Sequence, residues 1–186
     1  MDLNQILPEI LNRNSSVCFS NEVVSADEIN LLIEATKWAP SSRNMQPWKI
    51  VFATKRGNSF DNVLSALYEG NQEWAVNSDA LVIFCAENDE KIAKKYLDIG
   101  FSGQNMMLQA EKMGIASHSM GGWDEKKVKE AIKAPPNSKV IFILAIGKKG
   151  SPEHLSENLK SRHESLRTRN ENPQNFSFDK WDFHSS

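Results

Sequence analysis

The stretch Trp38-Ala39-Pro40-Ser41-Ser42-Arg43-Asn44-Met45-Gln46-Pro47-Trp48 concentrates neutral hydrogen-bonding side chains between a proline and a tryptophan. Hydroxyls and amides in a row offer both donors and acceptors. They suit a planar heterocycle that carries both kinds of group along one edge. A well-capped turn uses the same residue types, so the segment alone leaves both readings open. Other chemistries lack their residues. No GxGxxG follows a strand, and no P-loop, HExxH or GxSxG pattern occurs. His118, His154, His163 and His184 have no metal-ligand spacing, so no metal site is expected.

The elements that must position this loop follow from periodicity. Leu3, Ile6, Leu7, Ile10 and Leu11 recur at helical spacing, with Pro8 tolerated near a helix start. Ser25-Ala26-Asp27-Glu28 is a capping box, and Ile29, Leu32, Ile33 and Thr36 continue as a buried stripe that Pro40 ends. Trp48 to Ala53 reads as a strand, and Phe60, Val63, Leu64 and Leu67 as a short helix. Leu81 to Ala86 is apolar throughout, as a strand covered on both faces requires. A long helix is expected from about Asp89 to Met113, with Gly114 closing it. Its internal Gly100 and Gly103 each cost about 1 kcal/mol against Ala, which close approach of another helix, here or on a second subunit, would offset. Ile115 to His118 is a short extended stretch, Asp124 caps a helix that Pro135 and Pro136 terminate, and Lys139 to Ile146 is the clearest strand.

Composition sets the frame. A chain of 186 residues suits one domain, 1–186, with a real core, and a net charge of −2 gives no general signal for nucleic acid. The first residues lack a basic stretch followed by an apolar run, and no apolar run is long enough to span a bilayer. Cys18 and Cys85 lie far apart, as reduced thiols of a cytoplasmic protein would. Residues 151–186 are polar apart from Leu155, Leu159, Leu166, Phe176, Phe178, Trp181 and Phe183. Their polarity fits disorder, while the alternation from Phe176 to Trp181 fits a strand packing on a surface; an ordered arm is the preferred reading.

The loop from Trp38 to Trp48 closely resembles the signature of the FMN-dependent nitroreductase family, and three further segments follow in family order. Arg13-Asn14-Ser15-Ser16-Val17-Cys18-Phe19 is similar to its basic N-terminal segment, and Gly114 to Asp124 to its glycine-containing turn. Arg167-Thr168-Arg169 is similar to its C-terminal basic pair. The resemblance implies an α+β fold, a mixed central sheet flanked by helices, and a homodimer with the C-terminal arm exchanged between subunits. It implies FMN as cofactor, NADH or NADPH as reductant, and a ping-pong hydride transfer through flavin N5 to a nitroaromatic, quinone or similar acceptor. No catalytic side chain is then needed.

By the same resemblance Arg13, Arg167 and Arg169 would meet the FMN phosphate, with Asn14 and Ser15 beside it. Met120, Gly121, Gly122 and Asn71 would lie against the ring, and Pro40, Ser41, Ser42, Asn44 and Gln46 would reach it at least partly from the partner subunit. Trp74 and Trp123 would wall the pocket of an aromatic substrate. Asn14 and Val17 depart from the family, which carries basic residues there. Valine cannot stabilise an anionic reduced flavin, so a lower reduction potential is expected unless another donor compensates. Two rivals stand: a same-fold flavin enzyme of different chemistry, such as dehydrogenation or dehalogenation, and a non-enzymatic flavin-binding module.

Overall fold

The computed structural model describes residues 5–165, 167–169 and 175–181. Leu3, Leu166 and Phe183, named above, lie outside them. The chain begins with helix α1 (Pro8–Asn12), where Pro8 takes the first-turn place that needs no N–H. Helix α2 (Ala26–Lys37) carries the expected capping box: Ser25 accepts from the Glu28 N–H while the Glu28 side chain accepts from the Ser25 N–H. Strand β1 (Lys49–Thr54), helix α3 (Phe60–Ala66), helix α4 (Glu69–Ala75) and strand β2 (Ala80–Glu87) follow. Helix α5 (Ile92–Lys112) and strand β3 (Ile115–Met120) then lead through helix α6 (Glu125–Ala131) to strand β4 (Ser138–Lys148) and helix α7 (Glu157–Glu164).

The sheet order is β1-β2-β4-β3, and every neighbouring pair is antiparallel. The architecture is α+β, but the expected mixed sheet is corrected to an antiparallel one. Strands β2 and β3, joined by α5, point the same way, yet β4 inserts between them, so they never pair. The one parallel pairing among the described residues is the isolated bridge of Ser15 with Ser117.

Period-two alternation along β2 sends its side chains to two cores. Leu81, Ile83 and Cys85 join Phe60, Val63, Trp74 and Val128 under α3, α4 and α6. Ala80, Val82, Phe84 and Ala86 join Leu32, Ile99 and Met106 under α2 and α5. Both faces of β2 are thus covered, as its unbroken apolar run requires.

Three local expectations change. Gly103 is small because the Phe142 ring of β4 occupies the space a Cβ would fill, so the close approach comes from the sheet rather than another helix. Gly100 faces open space. The tail holds α7, with Leu159 buried, but Phe176 to Trp181 form no strand, and Phe176 and Phe178 are exposed among the described residues.

Candidate cofactor site

The segment that leaves α1 is laced to the edge of β3. The Ser16 N–H donates to the Ser117 carbonyl at 3.3 Å, and beyond it the Ser20 N–H donates to the Lys148 carbonyl at 2.9 Å. This holds Arg13, Asn14 and Ser15 at the lip of a cleft of about 400 Å³, whose other wall comes from Arg162, His163, Ser165, Arg167 and Arg169. Among the described residues no carboxylate lines it. Burial, then the charges of Arg167 and Arg169, hold the Arg13 guanidinium below its ordinary pKa, with Glu111 opposing. Four arginines around one cleft, with Glu111 the one carboxylate acting on Arg13, form a site for an anion.

The arginines are not equivalent. The Arg167 guanidinium donates from one terminal nitrogen to the carbonyls of Leu11 and Arg13, and from the other to Ile10 at 3.0 Å. These are the free carbonyls at the end of α1, where a cation is favoured. Three of its five N–H donors are therefore used by the chain itself. Arg169 donates to its neighbour's carbonyl, on Thr168, at 2.7 Å. Arg162 and His163 were not anticipated, although three arginines between positions 162 and 169 were a readable signal.

The far end of β3 carries the turn. The Gly122 carbonyl accepts from the Tyr68 N–H at 3.1 Å and from the Asn71 amide at 3.3 Å. A Cβ at Gly122 would meet the Tyr68 ring at 2.8 Å and the Asn71 amide at 3.2 Å, so only glycine fits between them. Gly121 is open on its side-chain face. Asn71 is positioned by α4, a helix that sequence reasoning missed because Gly70 interrupts its pattern. Met120 is buried, and its side chain packs in the core beneath the turn. Trp123, half-buried, bridges to Leu67 at the same turn.

Two aromatic or apolar side chains lie deeper than expected. Trp74 is fully buried, stacked on His118 with centroids 4.3 Å apart, which places it in the core and not on an open pocket wall. Its Nε1 has no hydrogen-bond partner among the described residues. Val17 is buried in the same core, so its position presents no cation. His118 is neutral: burial pushes it down to about 4, the charges of Arg162 and Arg13 add to this, and its hydrogen bond to Ser16 opposes it. Its Nδ1–H must then donate to the Ser16 carbonyl, 3.0 Å away.

The loop from Pro40 to Gln46 stands apart. Asp98, buried in α5, accepts from Ser41 Oγ at 2.9 Å and from the Ser42 N–H at 3.0 Å. Ser41 Oγ in turn accepts from the Gln46 N–H at 2.8 Å, and the Gln46 amide donates to Asn44 Oδ1 at 3.1 Å. Arg43, Asn44 and Gln46 have φ of 53°, 56° and 48°, in the left-handed region costly for L residues. Asp98 and Glu111, which acts on Arg13, are separated by about 20 Å of helix. One chain therefore brings Arg13, Asn14, Ser15, Arg167 and Arg169 together, and Asn71 with Gly121 and Gly122, but anchors the Pro40–Gln46 loop at the opposite end of α5.

Several known proteins resemble this chain. The FMN reductase (NADPH) of Bacillus subtilis (strain 168) is 27% identical over 176 residues, spanning 83% of this chain and 68% of the relative. The NADPH-flavin oxidoreductase of Vibrio harveyi is 26% identical over 161 residues, spanning 78% of this chain and 66% of the relative. A solved structure described as an oxidoreductase containing FMN superposes with a TM-score of 0.85 at 26% identity, covering 96% of this chain and 94% of that one. The sequence pattern that defines the Nitroreductase family matches residues 10–148, which include the laced N-terminal segment, the strained loop, Asn71 and the glycine turn. The chain belongs to the Nitroreductase family.

Proposed function

We propose that the chain is an FMN-dependent NAD(P)H oxidoreductase that works as a homodimer. One observation carries this reading: β3 joins an arginine-rich cleft at Ser15 to a polar, close-approach turn at Gly121, about 13 Å further along the strand. The two ends match the two ends of FMN. Arg13, Arg169 and the Ser15 hydroxyl suit a phosphate dianion, with Asn14 at the lip of the same cleft. The Gly121 and Gly122 backbone and the Asn71 amide suit a heteroaromatic edge, and the open side-chain face of Gly121 leaves that approach free. The residues present fit the cofactor.

Bound FMN supplies two-electron chemistry, accepting hydride from NADH or NADPH and passing electrons to a nitroaromatic, quinone or similar acceptor. The chain's part is positioning and electrostatics. Arg13 and Arg169 hold the phosphate, β3 sets the distance to the ring, and Asn71 fixes the turn against α4. The Pro40–Gln46 loop of a second copy would close the site, since Asp98 anchors this chain's own loop about 20 Å along α5 from Glu111. Relatives named as NADPH-dependent flavin reductases support the reductant.

Anaerobic addition of NADH or NADPH to the purified yellow protein tests the reading. Bleaching of the flavin band, with recovery on adding a nitroarene or quinone, is expected. A flavin that neither nucleotide reduces would overturn it. Val17 favours one second reading, a flavin-holding module, because a buried valine offers no charge to a reduced flavin. Photoreduction against reference dyes separates the two: a potential below the reach of NADPH supports the module.

A further inference from the structure

We infer that Arg162 completes the phosphate site, while Arg167 is a positioning residue that holds Arg13 in place. The inference rests on the FMN reading and assigns the chain's own cations within it.

Arg167 has the wrong donors free. Its two terminal nitrogens are committed to the carbonyls of Ile10, Leu11 and Arg13, the last turn of α1 and its cap. Turning this fork toward a ligand would strip three carbonyls at the end of α1 of their protein partner and release the segment that carries Arg13 and Ser15. Arg162 is the reverse case. It projects from the last turn of α7 into the same cleft, and among the described residues its guanidinium has no carboxylate or carbonyl partner. Its charge reaches His118, as does that of Arg13, so the two cations act on one region.

The helix that presents Arg162 is fixed for the purpose. The Ser156 hydroxyl caps α7 by accepting from the Leu159 N–H and donates to Glu73 of α4 at 2.8 Å. Leu159 inserts into the core. Helix α7 is therefore tied to the helix that carries Asn71, and Arg162 keeps a set distance from the ring end of the site. A phosphate near −2 asks for more than one unshared guanidinium fork. Arg13 and Arg162 supply them, and Arg169 adds the donors that Thr168 leaves free.

The test compares FMN with riboflavin, which differs only by the phosphate, using flavin fluorescence quenching on the apoprotein. Arg162→Gln is expected to weaken FMN binding about tenfold or more, the effect of losing one charge-assisted hydrogen bond, to leave riboflavin binding unchanged, and to leave the apoprotein's thermal midpoint unchanged. Arg162→Lys restores part of the FMN affinity. Arg167→Gln lowers the apoprotein's midpoint and weakens both flavins alike. An Arg162→Gln protein that still distinguishes FMN from riboflavin as wild type does would overturn the inference and leave the FMN reading standing. A wild-type chain that binds neither flavin would overturn the FMN reading itself, and one that binds both equally would overturn both phosphate assignments.

Discussion

The Trp74 indole lies over the His118 imidazole, centroids 4.3 Å apart and planes 21° from parallel. Trp74 shares α4 with Asn71, and His118 donates to the carbonyl of Ser16, next to the cleft. The stack thus couples the two ends of the candidate site through the core.

This coupling has a pH signature. His118 is held near 4 in the folded chain against 6.5 when free. Between those values the unfolded chain binds the extra proton, so stability rises with pH and is lost as pH falls from 6.5 toward 4. The full difference is on the order of 3 kcal/mol. Urea midpoints of wild type and His118→Gln across this window should converge at low pH. Parallel curves would show that His118 does not titrate as described.

Asp98→Ala removes the single carboxylate oxygen, Oδ2, that accepts from both Ser41 Oγ and the Ser42 N–H. The loop, with three left-handed side chains, should relax from its observed form. FMN affinity is expected to fall about tenfold or more, given 1.5–3 kcal/mol for each hydrogen bond to a charge. Asp98→Asn, whose amide oxygen can accept both bonds without the charge, should fall between. Unchanged affinity in a folded Asp98→Ala protein would remove the loop from the site.

The glycines of α5 should respond oppositely. Gly103→Ala drives a methyl into the Phe142 ring, which is stacked on Phe84 and cannot turn freely; a loss of about 1–3 kcal/mol is expected. Gly100→Ala meets nothing within 4 Å and should gain up to about 1 kcal/mol of helix propensity in the dissociated chain. Urea titration measures both, and sedimentation of Gly100→Leu reports whether that open face is covered by a second copy.

Gly122→Ala places a methyl 2.8 Å from the Tyr68 ring. The turn must shift away from Asn71, and the absorbance envelope of bound flavin should change even where FMN is retained. A spectrum identical to wild type would mean that this turn does not face the ring.

The sequence was most legible where one strong local signal decided the structure. The capping box at Ser25, the unbroken apolar run of β2 and the closing Gly114 all fall where their chemistry puts them. It was least legible where a distant residue decides. The glycine at 103 answers to Phe142, and the Arg167 fork answers to carbonyls more than 150 positions earlier. Helix α4 was hidden by Gly70, because its stability comes from burying Trp74 and Ala75 and not from propensity. The insertion of β4 between β2 and β3 left no periodicity to read.

Arg43, Asn44 and Gln46 hold a conformation that glycine adopts without steric cost. Selection for heat resistance alone would therefore favour glycine at Arg43 and Gln46, trading strain for backbone freedom. Selection for turnover would restore the side chains. Libraries randomised at these two positions and sorted separately for survival on heating and for NAD(P)H oxidation should diverge, and a common winner would mean that the strain has no functional purpose. The loop is where durability and activity of this chain compete.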